Sequence, residues 1–122
     1  MKIIEQIIEK DKCAELIAKI NEHYLRVKQQ YPNAALGDGL VKDSFSAYAL
    51  PETEELLLFL TPIVSEVTGK TLYPTYSYCR IYFNGASMRP HVDRAACEIS
   101  MSLCLGGDPW ALHFDTGPVT LK

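Results

Sequence analysis

The sequence predicts an α+β domain in which helices come first and an antiparallel sheet follows. Apolar residues recur every three or four positions before Gly69 and every second position after it, and Gly-Pro turn signals separate the later segments. A chain of 122 residues suffices for one hydrophobic core. We therefore expect a single domain over 1–122, with a mainly helical layer in 1–70 and strands in 71–122.

The first helix is predicted to begin near Asp11 and to end before Pro32. Asp11 can cap its start. The helix should end before Pro32, because the residue that precedes a proline rarely adopts the helical conformation. Its apolar stripe comprises Cys13, Leu16, Ile17, Ile20, Tyr24 and Val27. The isoleucines of residues 3–8 fit either an earlier helical turn or a short leading strand, and we favour the strand.

Residues 32–50 predict a loop, and a second helix is predicted after it. Asn33, Gly37, Asp38 and Gly39 supply turn chemistry without a clear period. The helix begins at Pro51, which suits a first turn followed by acids, and Gly69 ends it in a left-handed cap. Pro62 should kink or restart this helix, because proline lacks the amide that the helix needs.

Four strand segments are predicted after Gly69. In residues 75–83, alternation places Tyr76, Tyr78, Arg80 and Tyr82 opposite Cys79, Ile81 and Phe83. From Cys97 to Leu105, an apolar face alternates with a small polar face that includes Ser100, Ser102 and Cys104. After the Gly106–Pro109 turn, residues 112–114 and 119–121 predict two short strands.

Composition and charge exclude several classes of function. The net charge is −3 and the basic residues are scattered, which argues against a nucleic-acid partner. The longest apolar run, residues 56–60, is far too short to cross a membrane. The four cysteines lack CxxC spacing and no secretory leader precedes them, so we expect a reduced, cytoplasmic protein.

The strongest chemical signal is His91-Val92-Asp93. At a strand end, residues two apart project from the same side, so His91 and Asp93 could bind one metal ion. The alternative is a surface turn in which Asp93 pairs with Arg89 or Arg94. The spacing alone leaves both interpretations open.

Five motifs follow one another along the second half of the chain: Tyr78-x-Arg80-x-Tyr82, Gly85, His91-x-Asp93, Cys97-Glu98-Ile99-Ser100 and Leu103-x-Leu105-Gly106. Together they resemble the iron(II)- and 2-oxoglutarate-dependent oxygenases, in particular the prolyl 4-hydroxylase-like branch. The resemblance covers roughly residues 72–122. It implies helices packed on an antiparallel double-stranded β-helix, or jelly roll.

The resemblance also implies an active site. His91 and Asp93 would be two ligands of Fe(II), with 2-oxoglutarate as co-substrate and ascorbate as a reductant that such enzymes accept. Tyr82 would hydrogen-bond the co-substrate, although an ordinary strand tyrosine explains it equally well. Ser102 and Cys104 would line the co-substrate pocket. The substrate would be a peptidyl side chain or a small molecule.

Arg80 and Glu98 lie on the polar faces of two predicted strands, and we predict that they pair. A buried arginine requires a carboxylate or several carbonyl oxygens. The other interpretation is that Arg80 binds an acidic group of a ligand.

The sequence departs from the family pattern after Asp93. The family's second histidine ligand and the basic residue that binds 2-oxoglutarate lie farther along, and no counterpart follows here. His113 comes 22 residues after His91 (113 minus 91) and is interpreted as an exposed strand histidine. We therefore expect an incomplete jelly roll. The chain would be a fragment, the product of a truncated reading frame, or one half of a jelly roll that another chain or a second copy completes. The alternative is a non-catalytic jelly-roll scaffold with a relic or weak metal site.

Overall fold

The computed structural model describes residues 4, 7–34, 36–38, 40–88 and 99–108, together with the backbone of 110–114 and 117–121. In chain order, the elements are α1 (Lys10–Gln30), β1 (Ser44–Tyr48), α2 (Pro51–Thr68), β2 (Tyr78–Tyr82), β3 (Trp110–Phe114) and β4 (Gly117–Leu121). β1 pairs with β2, and β3 pairs with β4, both in antiparallel orientation. The described elements thus comprise two helices and two two-stranded sheets.

α1 confirms the predicted first helix but starts earlier than expected. Glu9 is its N-cap residue and makes no side-chain capping bond, while Asp11 lies in the first turn. Asp11 as N-cap was therefore wrong; an acid in the first turn still interacts favourably with the helix dipole. The leading strand is also wrong for the described residues, because Ile4, Ile7 and Ile8 belong to no strand.

α2 follows the prediction closely at both ends. Pro51 occupies the first turn, and Gly69 adopts the left-handed conformation (φ 69°) with its amide bonded to the carbonyl of Glu66. The helix continues through Pro62 as one element. The Thr61 hydroxyl donates to the Leu57 carbonyl at 2.7 Å, one turn before Pro62.

β1 corrects the prediction that residues 32–50 form a loop. Ser44 lies opposite Tyr82 and Tyr48 opposite Tyr78, so β1 is the neighbour of the predicted strand. Phe45 is buried, and its ring centroid lies 5.4 Å from that of Tyr24 on α1. The face of the sheet that carries Phe45 therefore packs on α1.

The core lies between the two helices and the β1–β2 sheet. Its buried apolar residues are Leu16, Ile20, Val41, Phe45 and Leu60. Phe83 extends this core, since its ring centroid lies 5.4 Å from that of Tyr24. The predicted alternation of residues 75–83 is thus confirmed for Phe83 on the helix-facing side.

The segment predicted as a strand over Cys97–Leu105 differs from expectation. Residues 99–105 belong to no strand, and residues 99–102 are all exposed, without the alternation that the sequence suggests. A strand needs a hydrogen-bonded neighbour, and none is present among the described residues beside this segment. Gly106, which follows it, approaches α1 so closely that a Cβ there would lie 2.9 Å from Ile17 Cδ1.

β3 and β4 confirm the two short strands predicted near residues 112–114 and 119–121. Their register places Trp110 opposite Leu121 and Phe114 opposite Gly117. His113 lies in a strand, as predicted, and its partner in β4 is Pro118. Neither helix of the described ranges is long and apolar enough to span a membrane.

Candidate functional site

The residues with the clearest metal-binding chemistry, His91 and Asp93, lie outside the described residues. So does Glu98, the predicted partner of Arg80. Within the described ranges, no group of three His, Cys, Asp or Glu side chains is arranged to hold a metal ion. The predicted site residues that the structure does describe are Tyr82 on β2 and, in the segment 99–105, Ser102 and Cys104.

Tyr82 lies at the end of β2 and is half-buried opposite Ser44 of β1. Ser102 is exposed and Cys104 is half-buried, and both belong to the strandless segment 99–105. The Cys104 thiol lies 4.0 Å from the carbonyl oxygen of Gly106. The small polar face that we predicted from alternation, with Ser100, Ser102 and Cys104, is therefore not part of a strand.

Arg80 projects from β2 and pairs with Asp38, a partner that the sequence did not suggest. Arg80 Nη2 and Nε donate to Asp38 Oδ2 at 2.9 and 3.3 Å. The hydroxyl of Tyr78 donates to the same oxygen at 2.7 Å. The guanidinium also lies over the Tyr78 ring, 4.7 Å from its centroid. The expectation that Arg80 needs a carboxylate is met by Asp38.

The other carboxylate oxygen of Asp38 accepts hydrogen bonds from its own turn. Its Oδ1 accepts hydrogen bonds from the amides of Leu40 and Val41, both at 2.9 Å. The Asp38 amide in turn donates to the Val41 carbonyl at 2.9 Å. We name the three side chains Asp38, Tyr78 and Arg80 the carboxylate clamp. It fastens the turn of residues 37–42 to β2.

The electrostatics of the carboxylate clamp favour its charged form. Burial alone would raise the pKa of Asp38, but hydrogen bonds from Tyr78, Val41, Arg80 and Leu40 outweigh burial and hold the pKa well below its usual range. Burial, together with the Asp38 carboxylate, raises the pKa of the Tyr78 phenol. Asp38 is thus a permanent anion near neutral pH and is unsuited to donate a proton.

One local signal in the sequence points to the carboxylate clamp. Asp38 lies between two glycines, where an aspartate side chain commonly accepts the amides of the next residues. That signal predicts the turn but leaves the partners of the second carboxylate oxygen open. Arg80 and Tyr78 lie about forty residues away, and no local pattern connects them to Asp38.

A second polar contact joins the two helices near β1. His23 Nε2 on α1 lies 3.3 Å from Glu52 Oε2 at the start of α2. Hydrogen bonding of the Glu52 carboxylate to its own backbone amide is the largest contribution that lowers the pKa of Glu52, and the contact with His23 adds to it. His23 also borders a cavity of about 260 Å³ along β1.

Comparison with known proteins adds no relative. No family model matches the chain, and no curated protein or solved structure is similar to it.

Proposed function

We propose that this chain is an iron(II)- and 2-oxoglutarate-dependent oxygenase domain with His91 and Asp93 as metal ligands. The observation that carries the proposal is the order of Tyr78-x-Arg80-x-Tyr82 and His91-x-Asp93 along the chain. An imidazole and a carboxylate two residues apart are donors that suit Fe(II) in a site with open positions. The segment from Tyr78 to Tyr82 is a strand, as the resemblance requires.

The described residues support the proposal through the position of Tyr82. β2 carries Tyr78, Arg80 and Tyr82 on the face opposite Phe83 and α1, and the carboxylate clamp occupies part of that face. Tyr82 would donate a hydrogen bond from its phenol to a carboxylate of 2-oxoglutarate. The bound iron would supply the oxidation that couples decarboxylation of 2-oxoglutarate to hydroxylation of a substrate C–H bond.

Two protein ligands instead of three predict weak metal binding by this chain. The resemblance implies a third ligand, and His113 stands at the wrong distance along the sequence to match it. We expect Fe(II) to bind weakly and hydroxylation by the chain alone to be slow or absent. The free cysteines Cys13, Cys79 and Cys104 agree with the reduced, cytoplasmic setting that we propose.

Manganese(II) binding without oxygen tests the metal site independently of catalysis. The free Mn(II) signal in electron paramagnetic resonance gives the affinity, with and without 2-oxoglutarate. We expect His91→Ala and Asp93→Ala to weaken binding by about tenfold or more, since each removes a direct ligand. His113→Ala is the matched control and should bind as the wild type does.

Succinate formation with Fe(II) and air then tests the activity. Binding that depends on His91 and tightens with 2-oxoglutarate would support the oxygenase. Binding that is indifferent to His91 and Asp93 would overturn the metal site and with it the proposed function. Equal losses in His91→Ala and His113→Ala would add His113 to the ligands.

One observation favours a non-catalytic scaffold as the second candidate. Ser102 and Cys104, which would line the co-substrate pocket, belong to a segment without strand pairing. A scaffold with a relic metal site would bind Mn(II) through His91 but would not respond to 2-oxoglutarate. The same titration therefore separates the two candidates.

A further inference from the structure

Asn84 and Gly85 form the centre of an exposed turn that follows β2. The Ala86 amide donates to the Phe83 carbonyl at 3.0 Å and closes the turn, and Gly85 at its third position has φ 86°. A type II turn places a glycine with positive φ at this position. Asn84 and Gly85 are both exposed, and a Cβ added at Gly85 would have nothing within 4 Å among the described residues. The backbone of Gly85 is therefore open to water and to the neighbouring side chain.

The amide nitrogen of Gly85 is a nucleophile that can reach the side chain of Asn84. After it gives its proton to a base, this nitrogen would bond to Cγ of Asn84 while the Cγ–Nδ2 bond breaks and ammonia leaves. The product is a five-membered succinimide ring. Glycine favours this step, because it lacks the Cβ that would crowd the nitrogen and it adopts backbone conformations that other residues rarely reach.

Water completes the reaction by opening the succinimide at one of its two carbonyl carbons. Opening at the former side-chain carbonyl leaves aspartate and an ordinary main chain. Opening at the other leaves isoaspartate, in which the main chain runs through the side chain and is longer by one methylene group. Asparagine and water thus become a carboxylic acid and ammonia, with no change of oxidation state. The new carboxylate changes the formal net charge from −3 to −4, that is, −3 minus 1.

The other two asparagines are followed by amides that their local structure already uses. Asn21 lies within α1, where the amide of the next residue belongs to the hydrogen-bond ladder of the helix. Asn33 lies in the turn after α1, and the Ala34 amide that follows it donates to the Tyr31 carbonyl at 3.1 Å. Each of these amides must lose a hydrogen bond before it can attack. We therefore expect both asparagines to react slowly.

The Asn84 turn differs from these two in the amide that it uses. Its closing hydrogen bond comes from Ala86 and leaves the Gly85 amide outside that bond. The nucleophile at this position is thus free of the restraint that its own turn could impose. Exposure, the missing Cβ and the position of the closing bond all favour the same reaction at Asn84.

Asp38-Gly39 is a second sequence that could form a succinimide, and the carboxylate clamp protects it. Asp38 Oδ1 accepts two backbone amides at 2.9 Å, and Oδ2 accepts Tyr78 and Arg80. A carboxylate that is held at both oxygens cannot turn toward the next amide, and as an anion it resists attack by a nucleophile. The structure therefore separates two sequences that look equally reactive.

Both ends of the Asn84 turn are attached to the same short segment of the chain. Before the turn, the Phe83 amide donates to the Asp43 carbonyl at 3.1 Å. After it, Met88 forms an antiparallel bridge with Val41, which is fully buried. The main chain of residues 84–87 must therefore span a fixed distance. The extra methylene of isoaspartate has to be absorbed there, whereas aspartate leaves the span unchanged.

We propose that Asn84 is a site of spontaneous deamidation, and that its isoaspartate product loosens the attachment of this turn to residues 41–43. Water is the only co-reactant. The proposal uses no residue of the proposed metal site, so either can fail without the other.

The test of the reaction is to incubate the whole chain in mildly alkaline buffer and to follow each asparagine by peptide mass spectrometry. Asn84 should convert at least about tenfold faster than Asn33, and electron-transfer fragmentation should show both aspartate and isoaspartate at position 84. Asp38 should remain unchanged in the folded chain and should form isoaspartate in urea. Equal rates at Asn84 and Asn33 would overturn the proposal.

Gly85→Ala should slow the conversion of Asn84 by at least about tenfold, because the added Cβ crowds the attacking nitrogen. Asn33→Gln is the matched control and should leave the rate at Asn84 unchanged. Asn84→Gln, which would have to close a six-membered ring, should abolish the fast conversion and is the second variant if Gly85→Ala does not fold. Fast conversion that persists in a folded Gly85→Ala, or ammonia release that persists in Asn84→Gln, would contradict attack by Gly85.

The structural effect is tested by comparing the isoaspartate form, separated by ion exchange, with the variant Asn84→Asp. The two have the same charge and differ in the length of the main chain. Hydrogen exchange at the Phe83 amide should be at least about tenfold faster in the isoaspartate form, because its bond to Asp43 is weakened. Equal exchange in the two proteins would show that the turn absorbs the extra methylene and would overturn the loosening that we propose.

Discussion

Asp38 and Arg80 form an ion pair with Nη2 to Oδ2 at 2.9 Å, across 42 residues of sequence. The Arg80 side chain is 15% exposed and that of Asp38 is 24% exposed, so the pair is largely shielded from water. It connects the turn that follows α1 to the strand that carries Tyr82. The carboxylate clamp is therefore the contact by which residues 37–42 are fixed on the sheet.

Asp38→Asn should destabilise the fold by about 2 kcal/mol, because it removes the charge that compensates a shielded arginine and weakens the bonds to both backbone amides. Urea unfolding measures the loss. Glu15→Gln is the control, since Glu15 is 61% exposed and lies 3.7 Å from Lys12. That exposed pair should contribute less than about 0.5 kcal/mol. Equal effects of the two substitutions would contradict the structural role of Asp38.

The lowered pKa of Asp38 predicts how stability depends on pH. The folded carboxylate has a lower pKa than the unfolded one, so its contribution is fully present above the unfolded pKa of about 3.9. That contribution is lost as pH falls from there through the folded pKa. The difference in unfolding free energy between wild type and Asp38→Asn should be constant from pH 7 to about pH 5 and should shrink below about pH 4. If this difference grew as the pH fell, the result would contradict the lowered pKa of Asp38.

The two helices could be predicted from the sequence because their signals are local. The apolar stripe of α1 lies within one segment, and Leu16 and Ile20 of that stripe are buried as the spacing indicates. Pro51 and Gly69 act through backbone geometry at their own positions. Such signals depend on neighbours along the chain and need no knowledge of the tertiary fold.

β1 and the carboxylate clamp could not be predicted in the same way. The residues of β1, Ser-Phe-Ser-Ala-Tyr, have a weak strand pattern, and the pairing with β2 defines the strand. Conversely, the stronger alternation of residues 97–105 gives no strand at residues 99–105. Strand formation depends on a partner that the local sequence does not specify. The pairing of Arg80 with Asp38, 42 residues away, is likewise a tertiary property.

Ser77→Ala should destabilise the protein by about 1–2 kcal/mol, because Ser77 attaches the start of β2 to the first turn of α2. Its hydroxyl donates to Glu54 Oε1 at 2.8 Å and lies 2.8 Å from the hydroxyl of the buried Thr53. Ser87→Ala is the control, because Ser87 is exposed. Thermal unfolding compares the two variants. Equal melting temperatures would show that the Ser77 hydroxyl contributes nothing to the attachment.

Gly37→Ala should be the most costly glycine substitution among those that the structure describes. Gly37 has φ 119°, and an added Cβ would lie 2.7 Å from the Val41 carbonyl oxygen, which accepts the Asp38 amide. We expect a loss of about 2 kcal/mol or more, from backbone strain and displacement of the turn. Gly85→Ala separates the two causes, because Gly85 also has positive φ (86°) but nothing lies within 4 Å of its added Cβ. That control should lose about 1 kcal/mol in urea unfolding.

Since the turn presents Asp38 to Arg80, Gly37→Ala should also reduce the additional effect of Asp38→Asn in the double variant. Full additivity of the two losses would show that the turn and the carboxylate clamp are independent.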